Sequence, residues 1–156
     1  MELTSQAKKA PLLRDLPSRL LAQTAALVSR VAGECLAAEG THRHHFAALA
    51  TLEAFGAASQ AELCRRTDID RSDMNAVMNA LEAEGAVTRR TDPENRRQYI
   101  VDLTGPGRKR FEHLKVRILE AQDQALAPLS GMERQELVRL LRIVHDHLAP
   151  AVAGES

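Results

Sequence analysis

Between Ser59 and Leu103 the chain carries two helix-start signatures in succession and then an alternating hairpin, an order and spacing that few folds accept. Ser59-Gln60-Ala61-Glu62 reads as a capping box, in which the serine hydroxyl takes an orphan backbone N–H and the glutamate reaches back to the cap. The helix it opens is expected to run only to about Arg66, because Thr67-Asp68-Ile69-Asp70 supplies a brief turn. Asp70 then caps a second helix, with Asp73 at its third position. Here Met74, Val77, Met78 and Leu81 fall at the i, i+3, i+4, i+7 spacing of one buried stripe, which turns Arg71, Ser72, Asn75 and Asn79 outward.

Gly85 ends that helix, and residues 86–90 and 98–103 alternate apolar and polar in the period of half-buried strands. The segment between them, Thr91-Asp92-Pro93-Glu94-Asn95-Arg96-Arg97, is rich in turn formers and charge, so a hairpin with a long basic tip is predicted.

Helical periodicity also flanks this unit. Leu20, Leu21, Leu27, Val28, Val31 and Leu36 recur from Pro17 to Ala38, with Ser18 as the expected N-cap. A shorter helix after Thr41 carries Phe46, Leu49, Leu52 and Phe55 to Gly56 and is apolar enough to be buried. Beyond the hairpin, Thr104-Gly105-Pro106 opens a long helix that Pro128 is expected to terminate, and Ser130-Gly131-Met132-Glu133 is a second capping box before a Leu-rich stripe. With aromatics at 3% and no Trp in 156 residues, a β-sandwich is disfavoured, and the length allows one domain plus a few shared helices. No apolar run approaches the roughly 20 residues of a bilayer span, and the start of the chain is polar, so a cytoplasmic protein without membrane partners is expected. Cys35 and Cys64 sit within helical patterns and are expected to be reduced, buried thiols.

Two short helices joined by a turn, then a hairpin, is the order of a winged helix-turn-helix, whose second helix enters the DNA major groove. Net charge is zero, yet residues 105–119 carry +4 and residues 120–156 carry −3, so the charge is segregated. Asn pairs bidentately with adenine, Arg with guanine, and Ser with either, which makes Arg71, Ser72, Asn75 and Asn79 an edge-reading set. Ser59 and Gln60 at the start of the first short helix, and Arg71 at the start of the second, offer free N–H groups to phosphate. On the hairpin, Arg89, Arg90, Arg96 and Arg97 suit the minor groove or the flanking backbone. The same four arginines equally fit a solvated edge that discourages sheet pairing.

The stretch from Ser59 to Gly107 resembles the multiple antibiotic resistance regulator (MarR) family. The resemblance rests on Gln60-Ala61-Glu62-Leu63, Asp70-Arg71-Ser72, Leu81-Glu82-Ala83-Glu84-Gly85, Asp92-Pro93, Arg96-Arg97 and Leu103-Thr104-Gly105-Pro106-Gly107 in this order. It implies a mostly α fold with a small β-hairpin wing, in which residues 46–104 form the winged helix-turn-helix. Residues 10–45 and 105–150 would form flanking dimerisation helices. It further implies a homodimer on a pseudo-palindromic operator of double-stranded DNA, repressing until a small phenolic or anionic ligand binds. Asp92 and Asn95 are the expected wing anchors; the family's usual second Asp is here Asn95, which weakens charge pairing to the wing arginine.

For the ligand, the sequence nominates Arg14, Arg19, His42, His44 and His45 on the first two helices, residues that would otherwise be solvated or paired with Glu34 or Glu39. Cys35, Glu39, His42, His44 and His45 also form a run of metal-ligating types, but no closed ligand spacing is present, and no metal or cofactor is expected. A redox role for Cys35 or Cys64 would need an exposed, low-pKa thiolate. No Gly-rich phosphate loop or nucleophile elbow is found, so an enzyme is not expected; a winged helix used only for protein contacts is the competing class.

Overall fold

The structure is a computed structural model that describes residues 10–153, with side chains described to residue 149. The polar segment Met1–Lys9 lies outside the described residues. Contacts divide the chain into two compact units, one ending at Ala121 and the other beginning at Gln122.

The first unit contains α1 (Pro11–Asp15), α2 (Pro17–Ala38), α3 (Arg43–Phe55), β1 (Ala58–Ser59), α4 (Gln60–Thr67), α5 (Arg71–Ala83), β2 (Val87–Thr91) and β3 (Tyr99–Leu103). It also holds most of α6 (Gly105–Ala125). The three strands form an antiparallel sheet in the order β1-β3-β2, with Ala58 opposite Val101 and Val87 opposite Leu103. Its core gathers Leu49 and Leu52 of α3, Leu63 of α4, Met74, Val77, Met78 and Leu81 of α5, and Val87 and Val101 of the hairpin. Leu36 from the end of α2 and Phe111 and Leu114 from α6 complete it, so the flanking helices supply part of the winged core. The second unit contains α7 (Gly131–Ala153), started by a reciprocal capping box: Glu133 N–H donates to Ser130 Oγ at 3.3 Å, and Ser130 N–H donates to Glu133 Oε2 at 2.8 Å.

Several local expectations are corrected. Leu16, not Ser18, stands at the N-cap of α2, because Pro17 takes the first helical position, where its missing N–H costs nothing. Glu62 does not reach back to its cap; its carboxylate is drawn to Arg65 and Arg66 one turn on. The helix before Pro128 stops at Ala125, consistent with the restriction a proline places on the residues before it. Phe55, expected inside, is 67% exposed at the last turn of α3, where the Arg66 guanidinium covers its ring at 4.4 Å. Both cysteines are half-buried instead of buried. Finally, α2 is 22 residues long with a window of mean hydropathy 1.2, long and apolar enough to cross a membrane by length and composition alone. Its alanines and dispersed leucines carry that average without forming the continuous apolar run that the sequence reading sought.

Candidate nucleic-acid interface

The geometry begins at two caps. Ser59 Oγ accepts from Glu62 N–H at 3.1 Å and fixes the start of α4. Asp68, in the left-handed region at φ 55°, turns the chain within the few residues between α4 and α5. Asp70 Oδ1 then accepts from Asp73 N–H at 2.9 Å and fixes the start of α5. Since Met74, Val77, Met78 and Leu81 are held in the core, the opposite face of α5 is necessarily the outward one.

On that face a groove of about 610 Å³ opens between α4, α5 and the tip end of the hairpin. It is lined by Gln60, Arg71, Ser72, Asn75 and Arg97, together with Ala61, Cys64, Gln98 and Tyr99. The first five were predicted from the sequence; the last four were not. Cys64 follows Gln60 by one helical turn, a spacing visible in the sequence, whereas Gln98 and Tyr99 enter only through the register of β3.

Cross-strand pairing sorts the hairpin arginines. Arg89 lies opposite Val101 on the core-facing side, while Arg90 lies opposite Ile100 on the other. Arg89 is therefore drawn inward: its side chain is 18% exposed, Nε donates to Glu82 Oε2 at 2.9 Å, and Nη2 donates to Asn79 Oδ1 at 2.8 Å. The Arg89 bond in turn holds the Glu82 carboxyl below its usual range. Among the described residues, Arg71, Arg90, Arg96 and Arg97 have no carboxylate partner, whereas Arg65, Arg66 and Arg108 are each paired. Four cations without a carboxylate partner among the described residues thus lie together at the start of α5 and on the wing.

The tip is stiffened through the backbone. Asp92 Oδ1 accepts from Glu94 N–H at 2.9 Å and Asn95 Oδ1 from Arg97 N–H at 3.2 Å, both Asx turns. Asn95 holds Arg97 by its main chain, leaving the guanidinium outside the turn. Burial pushes the Cys64 thiol up, with nearby Arg71 opposing, which is the wrong direction for a reactive thiolate.

The residues nominated for a ligand are dispersed in character. Arg14 pairs with Asp15 at 2.9 Å on the exposed α1. Arg19 is half-buried, and its Nε is shielded from solvent without a hydrogen-bond partner among the described residues. His45 is 7% exposed, hydrogen-bonded to Thr41 Oγ1 at 3.1 Å and stacked against His42 at 3.9 Å, so it belongs to the packed interior. That burial lowers its pKa. His44 Nδ1 lies 3.9 Å from Asp73 Oδ2. Glu39 is committed to His113 Nε2 at 2.7 Å and Arg117 Nε at 3.0 Å, and Cys35 Sγ donates to the Arg117 carbonyl at 3.4 Å. Among the described residues no group of three or more His, Cys, Asp or Glu is arranged to hold a metal ion.

Two capped helices, a three-stranded sheet and a basic hairpin around an open polar groove define a winged helix-turn-helix protein. Residues 39–98 match the model of the MarR family. The chain is 34% identical over 99 residues to a protein of Thauera aromatica assigned as a transcriptional regulatory protein for the hcr operon. That alignment covers 62% of this chain and 60% of the relative, so less than two thirds of the relative's length is spanned. A transcriptional regulator structure from Pseudomonas aeruginosa superposes with a TM-score of 0.75 at 30% identity, covering 85% of this chain and 98% of that one. The PcaV regulator of Streptomyces coelicolor, solved with its natural ligand, gives a TM-score of 0.74 at 27% identity over 88% of this chain and 97% of that one. The chain belongs to the MarR family, and its relatives are transcriptional regulators, not enzymes.

Proposed function

We propose that this protein is a DNA-binding transcriptional repressor that acts in the cytoplasm as a homodimer on a pseudo-palindromic operator and releases it on binding a small anionic or phenolic ligand. The observation that carries the reading is the groove in which Arg71, Ser72 and Asn75 of α5 share an open surface with Arg97 of the wing. Asn and Arg side chains supply bidentate readout of base edges, and the unpaired wing arginines supply phosphate contacts.

Residues 10–45 and 105–150 form the dimerisation region in this proposal, around a DNA-binding segment at 46–104. Support comes from apolar surface left uncovered. No described side chain of α7 is buried, although Leu140, Leu141, Ile143, Val144 and Leu148 all lie along it, and α2 exposes Leu20, Leu21, Leu27 and Val31. Apolar patches of this kind call for a partner, and a second copy is the occupant that gives two recognition helices about one helical turn of DNA apart. The ligand reading draws support from Arg19, whose buried, partnerless Nε suits a carboxylate or phenolate. PcaV, of the same fold, is a ligand binder.

The test is titration of the purified protein against the duplex immediately upstream of its own coding sequence and against a scrambled duplex, at fixed near-physiological salt. Preferential binding of two chains per site is expected. Equal affinity for both duplexes, with no preference gained after dialysis to remove bound ligand, refutes the reading.

A further inference from the structure

The Arg89 cluster holds an acidic residue, Glu82, on the helix proposed to meet a polyanion. A carboxylate on that helix opposes phosphate binding unless it performs another task, and its contacts show what that task is. Glu82 Oε2 accepts from Arg89 Nε at 2.9 Å, and the same guanidinium donates through Nη2 to Asn79 Oδ1 at 2.8 Å, with the Tyr99 ring centred 5.8 Å away. Arginine has donors only, so the Asn79 atom facing it is the carboxamide oxygen, and the amide NH2 is the group left over. Adenine readout by asparagine uses both ends of the carboxamide, an acceptor for N6–H and a donor for N7. The Asn79 oxygen already accepts from Arg89, which takes up one of its two lone pairs, while both donors of its amide remain unengaged.

From this juxtaposition we infer that Glu82 is a positioning residue for DNA specificity: through Arg89 it engages the Asn79 oxygen and biases that side chain toward donation, favouring guanine or thymine acceptors or phosphate over adenine. Asn75 has no such partner among the described residues and keeps both ends of its carboxamide. The two asparagines, one turn apart on the same face, thereby carry different readout chemistries. This inference rests on the proposed base-reading role of α5 and refines it.

The experiment is selection from a pool of random-sequence DNA duplexes by the full-length protein and three variants: Glu82→Ala, Glu82→Gln and Asn75→Ala. Glu82→Ala releases Arg89 and with it the Asn79 oxygen, so the enriched sequences gain adenine at one position per half-site by roughly tenfold relative to wild type. Glu82→Gln keeps an acceptor for Arg89 Nε–H and retains the wild-type profile. A purely structural role for Glu82 would lower affinity for every sequence alike and leave relative base preferences unmoved. The inference is overturned if Glu82→Ala enriches the same sequences as wild type, or if Glu82→Gln shifts as far as Glu82→Ala. Loss of a different base preference in Asn75→Ala shows that α5 still reads bases in either case. An unaltered Asn75→Ala profile removes base reading by α5 and this refinement together.

Discussion

Replacing Arg96 and Arg97 together by Ala tests the proposed interface through its salt dependence. Neither guanidinium has an acid partner among the described residues, so on binding each neutralises a phosphate and displaces its condensed counterion. Each lost contact flattens the slope of log K against log salt by about 0.9, so two per protomer and four per dimer amount to a change of about 3.6. Between about 50 and 200 mM salt, a fourfold change, that corresponds to a loss of affinity roughly 150-fold smaller in the variant than in wild type. Arg89→Ala is the internal control. Arg89 is already neutralised by Glu82, so its removal leaves the slope within about one unit of wild type. Fluorescence anisotropy of a labelled duplex across the salt range reads all three proteins. Parallel lines for wild type and the double variant, or an Arg89→Ala line as flat as the double variant's, would refute the assignment of free and committed cations.

Three further outcomes test the fold beneath the interface. Gly107→Ala places a Cβ 1.9 Å from the Ala86 carbonyl oxygen, an approach that backbone must yield to; a loss of about 2–3 kcal/mol is expected, seen as a melting temperature lower by roughly 5–10 °C. Ser130→Ala removes the hydroxyl that caps α7 and is expected to cost about 1 kcal/mol in urea unfolding, with Ser130→Asp restoring most of it. His45 is held neutral by burial, with its folded pKa below the unfolded value of about 6.5. Below that value the unfolded chain takes up a proton that the folded chain refuses, so stability falls as pH drops from about 6.5 toward the folded pKa. His45→Gln should remove that part of the slope below about pH 6.5, and an unchanged slope would show that other groups carry it.

The order of elements was legible because each boundary carries its own chemistry. Ser59, Asp70 and Ser130 each accept the N–H bond that their position in a cap signature predicts. The stripe Met74, Val77, Met78, Leu81 is buried as its spacing requires. The two-residue β1 was not legible, since two residues hold no period and Ala58-Ser59 pair with β3 only through a contact some forty positions away. The short α1 likewise offers no stripe, and none of its residues is buried. Arg89 and Arg90 show most clearly where a sequence reading loses information. The sequence reading treats them alike as wing cations; strand register puts them on opposite faces, and nothing local reveals that a carboxylate and a carboxamide on α5 meet the inner one. Glu82 was read as part of a helix-closing segment because its partner lies across the turn at Gly85.

That pairing also explains how a chain of zero net charge can carry a surface suited to a polyanion. Net charge counts Glu82 against Arg89, Glu62 against Arg65 and Arg66, and Glu53 against Arg108, pairs in which the cation is already neutralised by contact. What phosphate meets at the groove is the remainder there: Arg71, Arg90, Arg96 and Arg97, at the N-terminus of α5 and along the wing, have no carboxylate partner among the described residues. The helix N-terminus adds partial positive charge of the same sign at the same place. Acids elsewhere on the surface do little to offset this, because separations beyond about 8–10 Å are largely screened at physiological salt. The quantity that bears on nucleic-acid binding is therefore the local count of unpaired cations, which depends on strand register and helix facing, and the sum over the composition is a poor guide to it.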